Sequence, residues 1–208
     1  VVESVPEAYT SKTYNVGDGA YYQTFDPDAR QVVSREFTLE EAREQGKPAP
    51  VQTINITNIP RSGIALTKYN AGYGASADDM KSQITFSRAG AGAAEFQLLR
   101  KTGEHSYEPV GRGQTNGEGN IAFANLDIWN DNGSKIEYYW YEVPQPETRL
   151  EVYDSEYAGG SENLLQAVPG AVIAGVSYDS ALLAGPFELT ADSTARAYAY
   201  NVVQKLPV

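Results

Sequence analysis

The sequence predicts an all-β sandwich with only minor short helices. Two observations carry that reading. Short runs rich in Val, Ile, Thr, Tyr and Phe alternate with a two-residue period, and Gly, Pro, Asn and Asp cluster between them. The 208 residues include 15 tyrosines, 19 glycines and 11 prolines, a balance suited to strands joined by polar turns. The length allows one large or two ordinary domains with real cores.

Composition narrows the function. A net charge of −11, with a pI of about 4.5 and no lysine or arginine cluster, argues against nucleic-acid or anionic-membrane binding. The chain has no cysteine and one histidine, His105, which excludes disulfides, thiolate metal sites, Cys nucleophiles and His-rich metal sites. No metal and no cofactor is expected. His105 lies beside Glu104 and Ser106 in a polar turn and reads as solvated; nothing near it forms a nucleophile elbow. The most apolar stretch, 164–189, is broken by Pro169, Asp179 and Pro186, so direct membrane insertion is not expected. No signal peptide is legible, and the sequence reads as mature or as an excised piece.

Taken in order, residues 1–9 open as a strand that sets Glu3 among valines. Turn signals follow from Tyr14 to Arg35; Asp18, Asp26 and Asp28 lack calcium-loop spacing and read as solvated turns. Thr38 to Glu41 is a capping box for a short helix that Gly46 and Pro48 stop. Residues 51–58 alternate, with Ile54, Ile56 and Asn58 on one face. Residues 59–62 read as a linker and a domain boundary. The strand 63–72 puts Ile64, Leu66 and Lys68 on one face. A Gly/Ala/Asp loop with a helical turn at Ala77–Lys81 leads to strands around 84–86, 95–99 and 121–126. A hairpin-type turn at Asn130–Gly133 enters a strand at 136–143. Residues 144–185 read as a long loop-rich insertion, and the last strand runs from Thr194 to Val203.

Three strands carry a polar residue on an otherwise apolar face. Lys68 follows Ile64 and Leu66, Glu142 follows Tyr138 and Trp140, and Asn201 follows Ala195, Ala197 and Ala199. A lysine on such a face needs a partner or must lose a proton, unless it snorkels from a strand end. A carboxyl desolvated in the core favours its protonated form. Small alanines leave room for a long side chain to reach across. One such residue is an accident; three in one domain point to a common site.

The segments around these residues resemble the collagen-adhesin B-type (CnaB) domains of Gram-positive pilins and surface adhesins, over residues 62–205. Gly63–Lys68 is similar to the family's first strand. Ala93–Leu98 is similar to its Gly-Ala-x-Phe-x-Leu segment, with alanine in place of the first glycine. Thr115, Gly119, Phe123 and Leu126 match its Thr-x-x-x-Gly-x-x-x-Phe-x-x-Leu core. Tyr139–Pro144 resembles its E-box strand, although no Gly-Tyr follows the proline. Asn201 falls where the family's terminal asparagine does. The resemblance implies an immunoglobulin-like sandwich in tandem domains and an autocatalytic isopeptide bond. In it Lys68 is the nucleophile, Asn201 the electrophile and Glu142 the catalytic acid. Apart from that single turnover, no enzymatic activity is expected.

Residues 1–60 resemble the back half of a preceding domain of the same kind. Glu3 would be its acid and Asn58 its electrophile, and its lysine strand would lie before residue 1. Lys205–Val208 resembles the start of a sortase Leu-Pro-x-Thr-Gly signal. The resemblance implies a structural protein of the cell surface, extracellular and anchored to the cell wall. Its partners would be sortase and other pilin or surface subunits. The lack of a Tyr-Pro-Lys motif argues mildly against a shaft subunit. A second reading is a module that binds a host matrix protein or glycan through residues 69–94 or 144–185. A third is an exported glycosidase, because acidic residues are plentiful enough to supply a carboxylate pair.

Overall fold

The computed structural model describes residues 2–4, 9–15, 21–22, 25–26, 31–33, 54–72, 74–82, 86–130, 132–158, 162–191 and 193–203. The chain divides into two compact units, Val1–Arg61 and Ser62–Val208. The expected helix at 38–46 and the tail 204–208 lie outside the described residues.

The first unit contains β1 (Val2–Ser4), β2 (Tyr9–Asn15), β3 (Tyr21–Tyr22), β4 (Phe25–Asp26), β5 (Gln31–Val33) and the first part of β6 (Ile54–Ala71). One sheet has the order β1-β5-β4, with Glu3 opposite Val32. Strand β2 pairs antiparallel with β3 and with β6, setting Ser11 opposite Asn58. The boundary expected at 59–62 falls where the two units divide, although the residues read as a linker are in a strand. Strand β6 runs through them for 18 residues, and Pro60 sits in the ladder opposite Tyr9. Proline lacks a ladder donor and so reads as a breaker, yet a strand accommodates it where that donor is not needed.

In the second unit β6 continues, followed by α1 (Ala77–Ser82), β7 (Phe86–Arg88), β8 (Glu95–Lys101), β9 (Ser106–Gln114), β10 (Asn120–Asp127) and β11 (Glu137–Glu142). Then come β12 (Thr148–Tyr153), a 3-10 turn (Glu156–Ala158), β13 (Leu165–Pro169), β14 (Val172–Ile173), β15 (Val176–Ser177), β16 (Ser180–Glu188) and β17 (Thr194–Val203). The stretch 144–185, read from sequence as a loop-rich insertion, therefore carries strands of both sheets. Strand β12 pairs with β17, and β16 pairs with β11.

The architecture is an all-β, immunoglobulin-like sandwich. One sheet holds β12-β17-β6, with β7 and β10 also pairing with β6; the other runs β13-β16-β11-β8-β9-β14-β15. Alternation along β6, β8, β11 and β17 sends Ile64, Leu66, Phe96, Leu98, Trp140 and Ala197 into one buried cluster. Phe96 meets Trp140 edge-on at 6.0 Å between ring centroids. Each of the large apolar side chains contributes on the order of 2 kcal/mol by leaving water. Both faces of β11 are covered, because Tyr139 packs with Leu99, Tyr107 and Leu183 on the other side.

Gly119, before β10, matches a demand of this core. It has φ +75°, its carbonyl accepts the Lys68 N–H at 2.7 Å, and a Cβ there would lie 2.7 Å from the Lys68 carbonyl oxygen. Left-handed strain and the backbone clash act together, so Gly119→Ala is expected to cost roughly 2–4 kcal/mol. Urea unfolding of a cross-link-incompetent Asn201→Ala background measures this; a loss below about 1 kcal/mol contradicts the close approach.

Candidate functional site

The site is built by two neighbouring strands of one sheet and one strand of the other. Strands β6 and β17 run parallel, with Lys68 opposite Ala199 and Asn70 opposite Asn201. Asn201 thus stands two residues beyond the partner of Lys68, on the same face and one diagonal step away. The alanines at 197 and 199 are fully buried and leave space above the sheet for the lysine chain. Glu142 comes from the opposing sheet, at the end of β11, where it pairs with Phe96 of β8.

Lys68 has no exposed surface, and Glu142 and Asn201 are 6% and 4% exposed. The snorkelling alternative for Lys68 therefore fails. Its Nζ donates to Glu142 Oε2 at 2.7 Å and to Asn201 Oδ1 at 2.7 Å. Asn201 Nδ2 donates to Glu142 Oε1 at 3.1 Å, so one carboxylate bridges the amine and the amide. The Lys68 ammonium also lies 5.4 Å from the centroid of the Phe96 ring. The backbone of Lys68 is held on both sides, its N–H by Gly119 and its carbonyl by the Ala89 N–H at 2.9 Å.

The three residues singled out from the sequence of this unit are thus brought together. For Glu3 and Asn58 the description reaches the backbone only: Glu3 lies in β1 and Asn58 in β6, on different sheets. Sequence reasoning missed Gln145. Its Oε1 accepts a second hydrogen bond from Asn201 Nδ2 at 3.2 Å, and its Nε2 donates to the Ala93 carbonyl at 2.6 Å. Gln145 follows Pro144, past the end of β11, where strand periodicity carries no information. His105 is half-exposed, 3.9 Å from Glu104. Among the described residues no cluster of three or more His, Asp and Glu could hold a metal ion, and no helix is long and apolar enough to cross a membrane.

Burial pushes the Lys68 amine down from 10.5 to about 8, against the opposing charge and hydrogen bond of Glu142. A lowered value in the folded state means that the unfolded chain binds the extra proton between pH 8 and 10.5. The cost of burying Lys68 is therefore fully present below about pH 8 and is relieved as pH rises through that window. Two chains unable to cross-link, Asn201→Ala and Asn201→Ala with Lys68→Met, isolate this effect, because the tyrosines titrate alike in both. The stability difference between the two is expected to shift in favour of the lysine chain as pH rises above 8. A difference independent of pH contradicts it.

No protein-family model and no curated protein matches the chain. Among solved structures, the chain is similar to the shaft pilin SpaA from Lactobacillus rhamnosus GG, at 18% identity and a TM-score of 0.39. The match covers 70% of this chain and 52% of the pilin. Two mutant forms of the same pilin match at 17% identity, over 70% of this chain and 51% of theirs, with TM-scores of 0.36 and 0.37. The chain spans about half the length of the shaft pilin it matches.

Proposed function

We propose that this chain is part of a structural protein of the Gram-positive cell surface, whose second unit locks itself with an isopeptide bond between Lys68 and Asn201. One observation carries the reading: a lysine without exposed surface, 2.7 Å from both a buried carboxylate oxygen and a buried amide oxygen. The motif resemblance across residues 62–205 supports it independently.

Glu142 Oε2 first takes a proton from the Lys68 ammonium, leaving a neutral amine with a lone pair. Nζ bonds to Asn201 Cγ while the carbonyl π-pair moves onto Oδ1. As the carbonyl re-forms, the Cγ–Nδ2 bond breaks. The Glu142 carboxyl delivers its proton to Nδ2 and takes the second proton from Nζ. The products are one secondary amide and one ammonia, with a protonated Glu142, and the balance needs no co-reactant. Strand register supplies the proximity that a bimolecular reaction lacks.

The first unit reads as the back half of a similar domain, and two correspondences support this. Ser11, opposite Asn58, lies eight residues after Glu3 (11 − 3); Leu150, opposite Asn201, lies eight after Glu142 (150 − 142). In each unit the glutamate and the asparagine stand on different sheets. Glu3 and Asn58 are accordingly proposed as acid and acceptor for a lysine from outside this chain segment. The proposed setting is extracellular and wall-anchored, with other surface subunits and sortase as partners.

Intact mass spectrometry tests the second unit's bond. The wild-type chain is expected to weigh less than its sequence by one ammonia, with Lys68→Ala and Asn201→Ala at the full sequence mass. A wild-type chain at full mass rejects the reading. Lys68 and Asn201 are 133 positions apart. Losing a cross-link over such a loop is expected to cost about 5 kcal/mol in chemical unfolding.

A further inference from the structure

We infer that Gln145 is a positioning residue for this reaction, holding the Asn201 amide in the one orientation that lets Lys68 attack. The inference rests on the isopeptide reading above. A primary amide has two ends of nearly equal size, and only their hydrogen bonds tell them apart. Here Oδ1 faces Lys68 Nζ, whereas Nδ2 faces Glu142 Oε1 at 3.1 Å and Gln145 Oε1 at 3.2 Å.

While lysine is an ammonium and glutamate a carboxylate, both favour this orientation: the ammonium can only donate and the carboxylate can only accept. The first chemical step removes that discrimination. A neutral amine can accept an N–H, and a protonated carboxyl can donate to a carbonyl. A flipped amide is then well bonded, with its N–H groups on the very lone pair that must attack Cγ. That state is a dead end.

Gln145 does not titrate, so its preference survives the proton transfer. Its own orientation is set by the Ala93 carbonyl, which can only accept, from Nε2 at 2.6 Å. The chain of bonds Ala93 carbonyl, Gln145 amide, Asn201 amide therefore has a fixed polarity from a backbone anchor to the leaving nitrogen. Glu142, Gln145 and Asn201 also line a pocket of about 400 Å³, with Pro144, Thr148 and Leu182.

Timed cell-free synthesis, quenched in acid denaturant and read by intact mass, tests the inference. Gln145→Met keeps the length but removes both hydrogen bonds. It is expected to slow ammonia loss about five- to tenfold, the worth of one hydrogen bond in the barrier. In an Asn201→Asp chain, whose carboxyl can carry its proton on either oxygen before losing water, Gln145→Met is expected to alter the rate by less than about twofold. Wild-type speed in Gln145→Met overturns the inference while leaving the bond itself intact. Equal slowing in the Asn201→Asp chain assigns Gln145 a merely structural role and overturns it too. A wild-type chain that never loses ammonia fails the underlying reading instead.

Discussion

Burying the Lys68 ammonium costs free energy that only close, well-placed partners can offset. Much of the second unit is arranged around supplying them. The parallel register of β6 and β17 brings Asn201 one diagonal step from the lysine. The opposing sheet lowers Glu142 onto its Nζ, and Phe96 presents a ring face. The small side chains of Ala197 and Ala199 are part of the same constraint, since larger ones would fill the space the lysine chain occupies. The backbone is held as tightly: Gly119 and Ala89 take both polar groups of Lys68 outside the ordinary strand ladder.

A salt bridge alone would be a weak reason to keep such a triad, because a well-packed apolar replacement is often at least as stable. The amide changes that balance. With Asn201 on both the lysine and the glutamate, the arrangement lies at the start of a proposed reaction path whose product carries no charged group. In the proposed product an amide replaces the costly ammonium. The depressed lysine value and the proposed chemistry thus have one origin: desolvation that disfavours the cation also frees the lone pair.

The centre of this site was legible in the sequence because strands have a two-residue period. Lys68, Glu142 and Asn201 each break an apolar face at a countable position, and the interior positions Ile64, Leu66, Tyr138, Trp140, Ala197 and Ala199 follow the same rule. What escaped was set by pairing over long distances or lies outside strands. Strands β12 to β15 have six residues or fewer, and β12 and β14 pair with strands far along the chain, so 144–185 looked like loop. Pro60 looked like a break because local chemistry cannot show which ladder donors a strand needs. Gln145 lies past a proline at a strand end, and its role depends on the Ala93 carbonyl, 52 positions away.

The strand order also bears on how the unit would carry load. Strands β6 and β17 are parallel neighbours, and the chain enters the unit through one and approaches its end through the other. Tension applied at the start of β6 and the end of β17 would shear the two strands past each other, loading their hydrogen bonds together rather than one by one. The proposed bond lies near the far ends of both strands, linking position 68 of β6 to position 201 of β17. Force would then pass through an amide, and the segment between Lys68 and Asn201 would stay outside the load path. A disulfide could serve the same geometry but would open to reductants; in a chain without cysteine, the proposed amide between β6 and β17 would meet the need by a bond that reduction does not reach.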